Sequence, residues 1–552
     1  MKPSDEVGGA AVSRSLTVSH PATGRIETRL FGLLEPLMGV TFVHSQRHGS
    51  SIEPVDVQVA TDPIADAAAP QPAGRPSARQ TSLRMRAPHL VRADAKAGAA
   101  ARVACRIEFA DDPDVPFPYR GRSVATTVAH VPAPLDVVMG ERVLARTEDG
   151  ALWAVQQTRD GKQFRCALPM PALAEGEAFI DVFNGERFIE CLVLLAYLRH
   201  VTAQPAFEAP ALRAMFVLDD PNLHWPHYGH VDFAHLAECA HRKRYHMAIA
   251  TIPMDAWFTH AQAAHIFREN ADVLSLLIHG NNHARQELVV DYEPPARAAL
   301  LQQAVRRIER LERSAHLQVS RVMVPPHGAC SEAMLAELPI QGFEAACVSA
   351  GSLRAHNRGA SWLSTLGFAA VEAVRGCLVL PRFGLTPSTP NSLLAAAFLG
   401  QPLIVRGHQQ DLKHGLDAFD ELADFINALG PVRWGNAAML ARLSHQTRID
   451  GNTVHVRVRG QRADVRLPPE ATQMRLDAVA DGGAWLWGDG VRWHGAVWPG
   501  QTVSLADMSA RQLCLQRVRS VPSTSPDLHR SPAMSLVLRR FATEARDRLL
   551  SF

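Results

Sequence analysis

Between residues 206 and 445 the chain alternates short apolar runs with amphipathic stretches, and no other feature constrains its fold as strongly. Seven runs read as strands, at 214–218, 247–252, 273–278, 322–325, 345–349, 377–381 and 403–406. Helical patterns lie between them. Asp232 stands as an N-cap before Phe233, Leu236, Ala237 and Ala240; Leu300, Leu301, Ala304, Val305, Ile308 and Leu311 share one face; a further helix covers 416–429. Strand–helix alternation of this length calls for parallel strands joined by crossover helices, as a barrel or a doubly wound sheet. Ligands in such folds sit at the C-terminal ends of the strands.

Polar residues with ligand chemistry fall at those ends. The first run closes on Asp219-Asp220, the third on His279, and the seventh leads to His408. His283 follows in the loop His279-Gly-Asn-Asn-His283, so two imidazoles four positions apart meet on one ion if the loop turns back. One carboxylate and two imidazoles leave coordination positions open for water and substrate, which is catalytic rather than structural in character. After the aspartate pair, Asn222, His224, Trp225, His227 and Tyr228 offer stacking and hydrogen-bonding groups that suit a polyhydroxylated substrate. His327 is placed to reach the ion or the substrate, and Arg382, after the sixth run, to bind an anionic sugar group. Asp291-Tyr-Glu293 reads as a cap for the helix that follows.

The flanks differ in pattern. Period-two alternation at 103–109 and 178–183, with Asp-Gly turns between, predicts an N-terminal β-rich domain over 25–205 after a flexible 1–24. Within it, 57–80 is rich in Ala, Pro and polar residues and reads as a flexible insertion. The barrel region is 206–445. Short runs at 453–458, 463–467, 474–478 and 497–505 predict a C-terminal β-sandwich over 446–518, and 519–552 reads as a linker and an amphipathic tail helix. The expected class is therefore multidomain α/β, a central distorted (β/α) barrel flanked by two β domains.

Composition removes several alternatives. With 57 Lys+Arg against 55 Asp+Glu, the net charge of +2 provides no bulk field for nucleic acid or an anionic membrane. The eight cysteines are scattered without a C-x-x-C pair, which argues against a disulfide framework or a cysteine zinc cluster. No apolar h-region opens the chain and no apolar run reaches the roughly 18 residues of a membrane span, so the expected protein is soluble and cytoplasmic.

The order Val217-Leu-Asp-Asp220, His279-Gly-Asn-Asn-His283, Pro325-Pro-His-Gly328 and Leu403-Ile-Val-Arg-Gly-His408 resembles the motif order of the polysaccharide deacetylases of the NodB-homology type, carbohydrate esterase family four, in the glycoside hydrolase-deacetylase barrel superfamily. The resemblance covers 206–445 and neither flank. It implies Asp219 as general base, Asp220, His279 and His283 as ligands of a divalent ion, and His408 as the acid that protonates the leaving group. Zinc is the expected ion, with cobalt, nickel or manganese as alternatives. Departures are visible as well. Val324 stands where the family carries an arginine that orients the base, and His327 where it carries an aromatic. The family's acidic fourth motif has no counterpart, since Glu344 and Glu372 are the only acids between 344 and 390; Asp411 is the nearest substitute. The expected activity is removal of an N- or O-acyl group from a carbohydrate or glycan precursor. The alternative is a non-catalytic carbohydrate-binding or assembly protein on the same barrel.

Overall fold

The computed structural model describes residues 103–128, 133–159, 161–171, 173, 177–184, 188–202, 207–284, 286–477, 483–508, 511–518 and 534–549, with short segments before residue 103. The chain forms two compact units, 1–206 and 207–552.

The first unit is built on a nine-stranded mixed sheet. Arg14–Ser19, Val40–Ser45, Val57–Asp62 and Thr81–Arg86 pair in parallel, and Lys162–Pro169 joins them to the antiparallel strands Gly150–Gln157, Glu141–Thr147, Val103–Phe109 and Ser123–Val128. Composition assigned 57–80 to a flexible insertion, but Val57–Asp62 is a strand; 63–80 lies outside the described residues. The stretch 178–183, expected as a strand, belongs to a helix, Phe179–Asn184. Ala178, Phe179, Ile180, Val182 and Phe183 are all buried, so the stretch carries no two-sided alternation to favour a strand. A second helix, Phe188–Thr202, packs on the sheet through Tyr197, whose ring meets Phe164 edge-on at 5.9 Å.

The second unit holds the region expected to carry chemistry. Seven parallel strands, β1 (Arg213–Asp219), β2 (Met247–Thr251), β3 (Leu274–His279), β4 (Val319–Val324), β5 (Ala345–Cys347), β6 (Cys377–Leu380) and β7 (Leu403–His408), pair in the order 6-5-4-3-2-1-7. Each falls on one of the seven apolar runs. Phe383–Gly384, just past β6, pairs with β7, so the continuing chain bridges the two edges of the curled sheet. Helices α1 (Phe233–Lys243), α2 (Ala261–Glu269), α3 (Pro294–Ala315), α4 (Glu332–Ile340), α5 (Thr389–Leu399) and α6 (Asp417–Asn427) follow in the crossovers. Asp232 caps α1 by accepting from Ala234 N and His235 N. Glu293 makes no capping bond; Pro294, which needs no N–H partner, starts α3 instead.

Side chains alternate across a strand, so every second residue faces the same way. Met215 and Val217 of β1, Leu277 of β3, Leu378 and Leu380 of β6 and Ile404 of β7 belong to one buried cluster inside the curl. Continuing each row by two residues, or by four on β7, reaches Asp219, His279, Arg382 and His408. These residues occupy the mouth because their rows run into it.

After the barrel come two four-stranded sheets. One contains His445–Asp450, Thr453–Val458, Gln473–Leu476 and Thr502–Ser504; the other contains Arg462–Arg466, Gln512–Arg517, Trp485–Gly488 and Trp493–Val497. They enclose one core of Val454, Val456, Met474, Leu476, Val465, Trp485, Leu513 and Leu515. The run at 497–505 is not one strand, because a turn with Gly500 at φ 85° interrupts it. A last helix, α7 (Met534–Leu549), closes the described chain. No helix among the described residues is long and apolar enough to cross a membrane.

His246, just before β2, is 1% exposed, with Nδ1 2.9 Å from the Asp272 carbonyl and Nε2 2.7 Å from Ser275 Oγ. Burial pushes its pKa down to about 4, so the fold holds the neutral ring. The unfolded chain, with an ordinary histidine near 6.5, binds the extra proton between those values. Stability from this group is complete above pH about 6.5 and is lost as pH falls toward 4, by up to about 3 kcal/mol. Urea unfolding at pH 7 and pH 4.5 should therefore show a smaller acid loss in His246→Gln than in wild type; equal losses would contradict this assignment.

Candidate metal centre

Asp220 follows the last residue of β1 with φ 86°, a conformation that costs energy for any residue with a Cβ. The turn swings its carboxylate toward the ends of β3 and the loop beyond. Its Oδ1 lies 3.3 Å from His279 Nε2 and 3.0 Å from His283 Nε2, yet it is in hydrogen-bond geometry with neither ring. The three donor atoms converge on a shared point rather than on one another. Two ligands about 2.0–2.1 Å from a tetrahedral ion stand about 3.3 Å apart, so the spacing fits a cation between them. Among the described residues these three form the one group of His, Cys, Asp and Glu side chains close enough to share an ion. They are also the three expected as ligands.

Electrostatics agree with the donor set. Burial alone would raise the Asp220 carboxyl, but the facing His279 and His283 rings hold it well below the usual carboxylate range. For His279, burial disfavours charge and Asp220 and Asp219 overcome it, raising the ring's pKa. The ring nitrogen away from the site, Nδ1, lies 2.9 Å from the Val324 carbonyl and donates to it. That bond fixes the tautomer that presents a lone pair at Nε2, the usual arrangement behind a metal-binding histidine. Val324 thus contributes its backbone where a side chain was expected.

The loop 279–283 turns back because a buried carboxylate holds it. Glu287, 3% exposed, accepts from Asn281 N at 2.8 Å, Asn282 N at 3.0 Å and His283 N at 3.0 Å. Gly280 adopts φ 64°, and a Cβ there would come within 2.3 Å of Glu287 Oε1. Arg307 on α3 donates to the Asn281 and Asn282 side chains at 2.7 and 2.8 Å, and Asn281 Nδ2 donates to Gln303 at 2.8 Å. Glu287 and Arg307 are positioning residues that the sequence reading missed. The available signal was an acid four residues past the second histidine, beside a glycine that admits it.

Asp219, 3% exposed, faces into the curl, and Arg382 Nη1 donates to both its oxygens at 2.9 and 2.8 Å. Arg382 was expected to hold an anionic sugar group; instead it is 4% exposed and committed to Asp219. Removing one partner of a buried charge pair costs about 3–5 kcal/mol, which disfavours any role that pulls the guanidinium away. Val324 offers no guanidinium to Asp219; the one that pairs with it comes from just past β6. His408 lies next to Asp219 in the β1–β7 register, its side chain 39% exposed. Asp411 accepts from the His408 backbone N–H at 2.8 Å, but its carboxylate is 3.9 Å from the ring.

The remaining expected residues divide. His327, with φ 55°, packs its ring 5.1 Å from that of His283 at the edge of the centre. Asn222 and His224 are buried, at 1% and 6% exposure; His224 contacts the Asp255 carbonyl at 2.8 Å and Glu544 of α7 at 3.1 Å, so both its ring nitrogens already have partners.

No family model and no curated protein matches the chain. Among solved structures it is similar to a protein of Mycobacterium smegmatis provisionally named a polysaccharide deacetylase, at 13% identity over 44% of this chain and 95% of that one, TM-score 0.30. It is also similar to a family 4 carbohydrate esterase from Streptomyces lividans in complex with acetate, at 12% identity over 44% and 100%, TM-score 0.25. A third similar structure is a mutant of a CE4 family pseudoenzyme with restored enzymatic activity, at 12% identity over 43% and 72%, TM-score 0.27.

Glu287→Gln replaces a charged acceptor with an amide that sets an NH2 against the loop. Metal affinity, read by competition with a chromophoric chelator, should fall about 10–100-fold with the fold retained by circular dichroism. Unchanged affinity would contradict the positioning role.

Proposed function

We propose that the chain is a metal-dependent hydrolase that removes an N- or O-acyl group, acetyl in the simplest case, from a carbohydrate or glycan precursor. The observation that carries this reading is the convergence of Asp220, His279 and His283 beside a second, inward-facing aspartate. These three residues would hold the ion, zinc by donor type. A divalent cation there supplies Lewis acidity to an acyl carbonyl and to a water.

The chain's own groups account for the proton transfers. Asp219 is adjacent to a ligand without being one, and Arg382 fixes the plane of its carboxylate, which suits it to accept a proton from the attacking water. His408, partly exposed on the neighbouring strand, is placed to protonate the departing nitrogen or oxygen. Adjacent carboxylates take different tasks because one faces two imidazoles and the other a guanidinium.

A second reading, a non-catalytic carbohydrate-binding or assembly protein, is favoured by one observation. The 3.9 Å between the His408 ring and Asp411 leaves the acid without a close carboxylate to orient it.

Asp219→Asn separates the two readings. In metal-loaded protein, acetate release from a panel of small acetylated sugars should fall about 100-fold or more while metal content stays at the wild-type level. Equal release by the variant would remove Asp219 from the base role. A loaded wild type that releases no acetate would favour the non-catalytic reading.

A further inference from the structure

Helix α7 does not pack on a distant surface. Arg540, Glu544 and Asp547, spaced to lie along one face, meet three residues at the C-terminal edge of the barrel. Arg540 pairs with Asp255 in the loop after β2, Glu544 lies 3.1 Å from His224 Nδ1 in the loop after β1, and Asp547 accepts from the Tyr228 hydroxyl at 3.1 Å. Phe541 adds a ring contact to Trp257 at 6.3 Å between centroids. His224 Nδ1 and the Tyr228 hydroxyl, polar atoms of the loop after Asp220, end on the tail, while His224 Nε2 ends on the Asp255 carbonyl.

The cover is partial. With α7 in place, His224 and Tyr228 are 6% and 0% exposed, whereas the Asp220 and His408 side chains keep 29% and 39%. The candidate metal centre is thus partly open, and the loops beside it are covered by α7. Beside α7, α3 and the loops after β1 and β2 line a cavity of about 410 Å³, the size of a small-ligand site, with none of Asp219, Asp220, His279, His283 or His408 in its wall.

We propose that α7 is a specificity element that limits the site to a small or chain-end acylated unit and excludes internal units of a polymer; this rests on the hydrolase reading above. Apart from the Phe541–Trp257 contact, the links that hold α7 are charged or hydrogen-bonding, so reversing their charges should loosen the helix without opening the barrel core.

The test uses two variants of the full chain, Arg540→Glu/Glu544→Lys and the milder Asp547→Lys, with N-acetylglucosamine and its β-1,4-linked hexamer as probes. Wild type should release acetate from the monosaccharide in preference to internal units of the hexamer. The variants should raise the hexamer-to-monosaccharide rate ratio at least tenfold. An unchanged ratio in both variants overturns the proposal. Calorimetric binding of the same probes is read in parallel. Wild type should bind monosaccharide and hexamer within about threefold of each other, and a variant should bind the hexamer at least tenfold tighter. If acetate release is absent throughout while this length dependence appears, the hydrolase reading fails and the tail's role stands. Equal length dependence in all three proteins, or no sugar binding by any, overturns the tail's role.

Discussion

In a curled parallel sheet covered on both faces, a polar side chain that ends an inward row has two places to satisfy itself: against the end of another row, or in the mouth. Asp219 and Arg382 take the first course. They are separated by 163 residues in sequence, end the rows of β1 and β6, and neutralise each other at 3–4% exposure. His279 and His408 take the second. Asp220, one residue out of phase with its row, reaches the same mouth by adopting a left-handed backbone, and that strained turn sets the two aspartates against different partners.

The rest of the centre follows from holding a loop against its own preference. A segment with Gly280, two asparagines and a histidine gains little from packing, and His283 itself sits at φ 53°. Glu287 supplies the missing acceptors to three consecutive backbone N–H groups, and Arg307 ties the asparagine side chains to α3. These contacts place His283 Nε2 before any ion arrives. If the three residues bind an ion as proposed, the ordering cost of the ligand set is met in folding rather than in metal uptake.

Much of this was legible from periodicity. The seven apolar runs, alternating with helical stretches, mark strands, and the polar residues that end them, Asp219, Asp220, His279 and His408, mark the mouth; His283 was read from its spacing four residues after His279 in the loop. What stayed hidden depends on pairs that sequence order does not show. Arg382 looks like a free cation at a strand end until the rows of β6 and β1 are seen to face each other. His224 looks like a substrate contact until Glu544, 320 residues later, covers it. The stretch 178–183 failed for another reason: a six-residue run with one exposed residue, Asp181, among five buried ones is too short to show a period, and length and neighbours decide between helix and strand.

The proposed chemistry requires that Asp220, His279 and His283 bind a divalent ion together. The direct measurement is metal content by plasma mass spectrometry, on wild type and His283→Ala purified without a metal-affinity tag. About one zinc, cobalt, nickel or manganese per wild-type chain, lost in the variant, is the predicted result. A wild type that holds no ion after reconstitution, or a variant that holds as much as wild type, would contradict the claim.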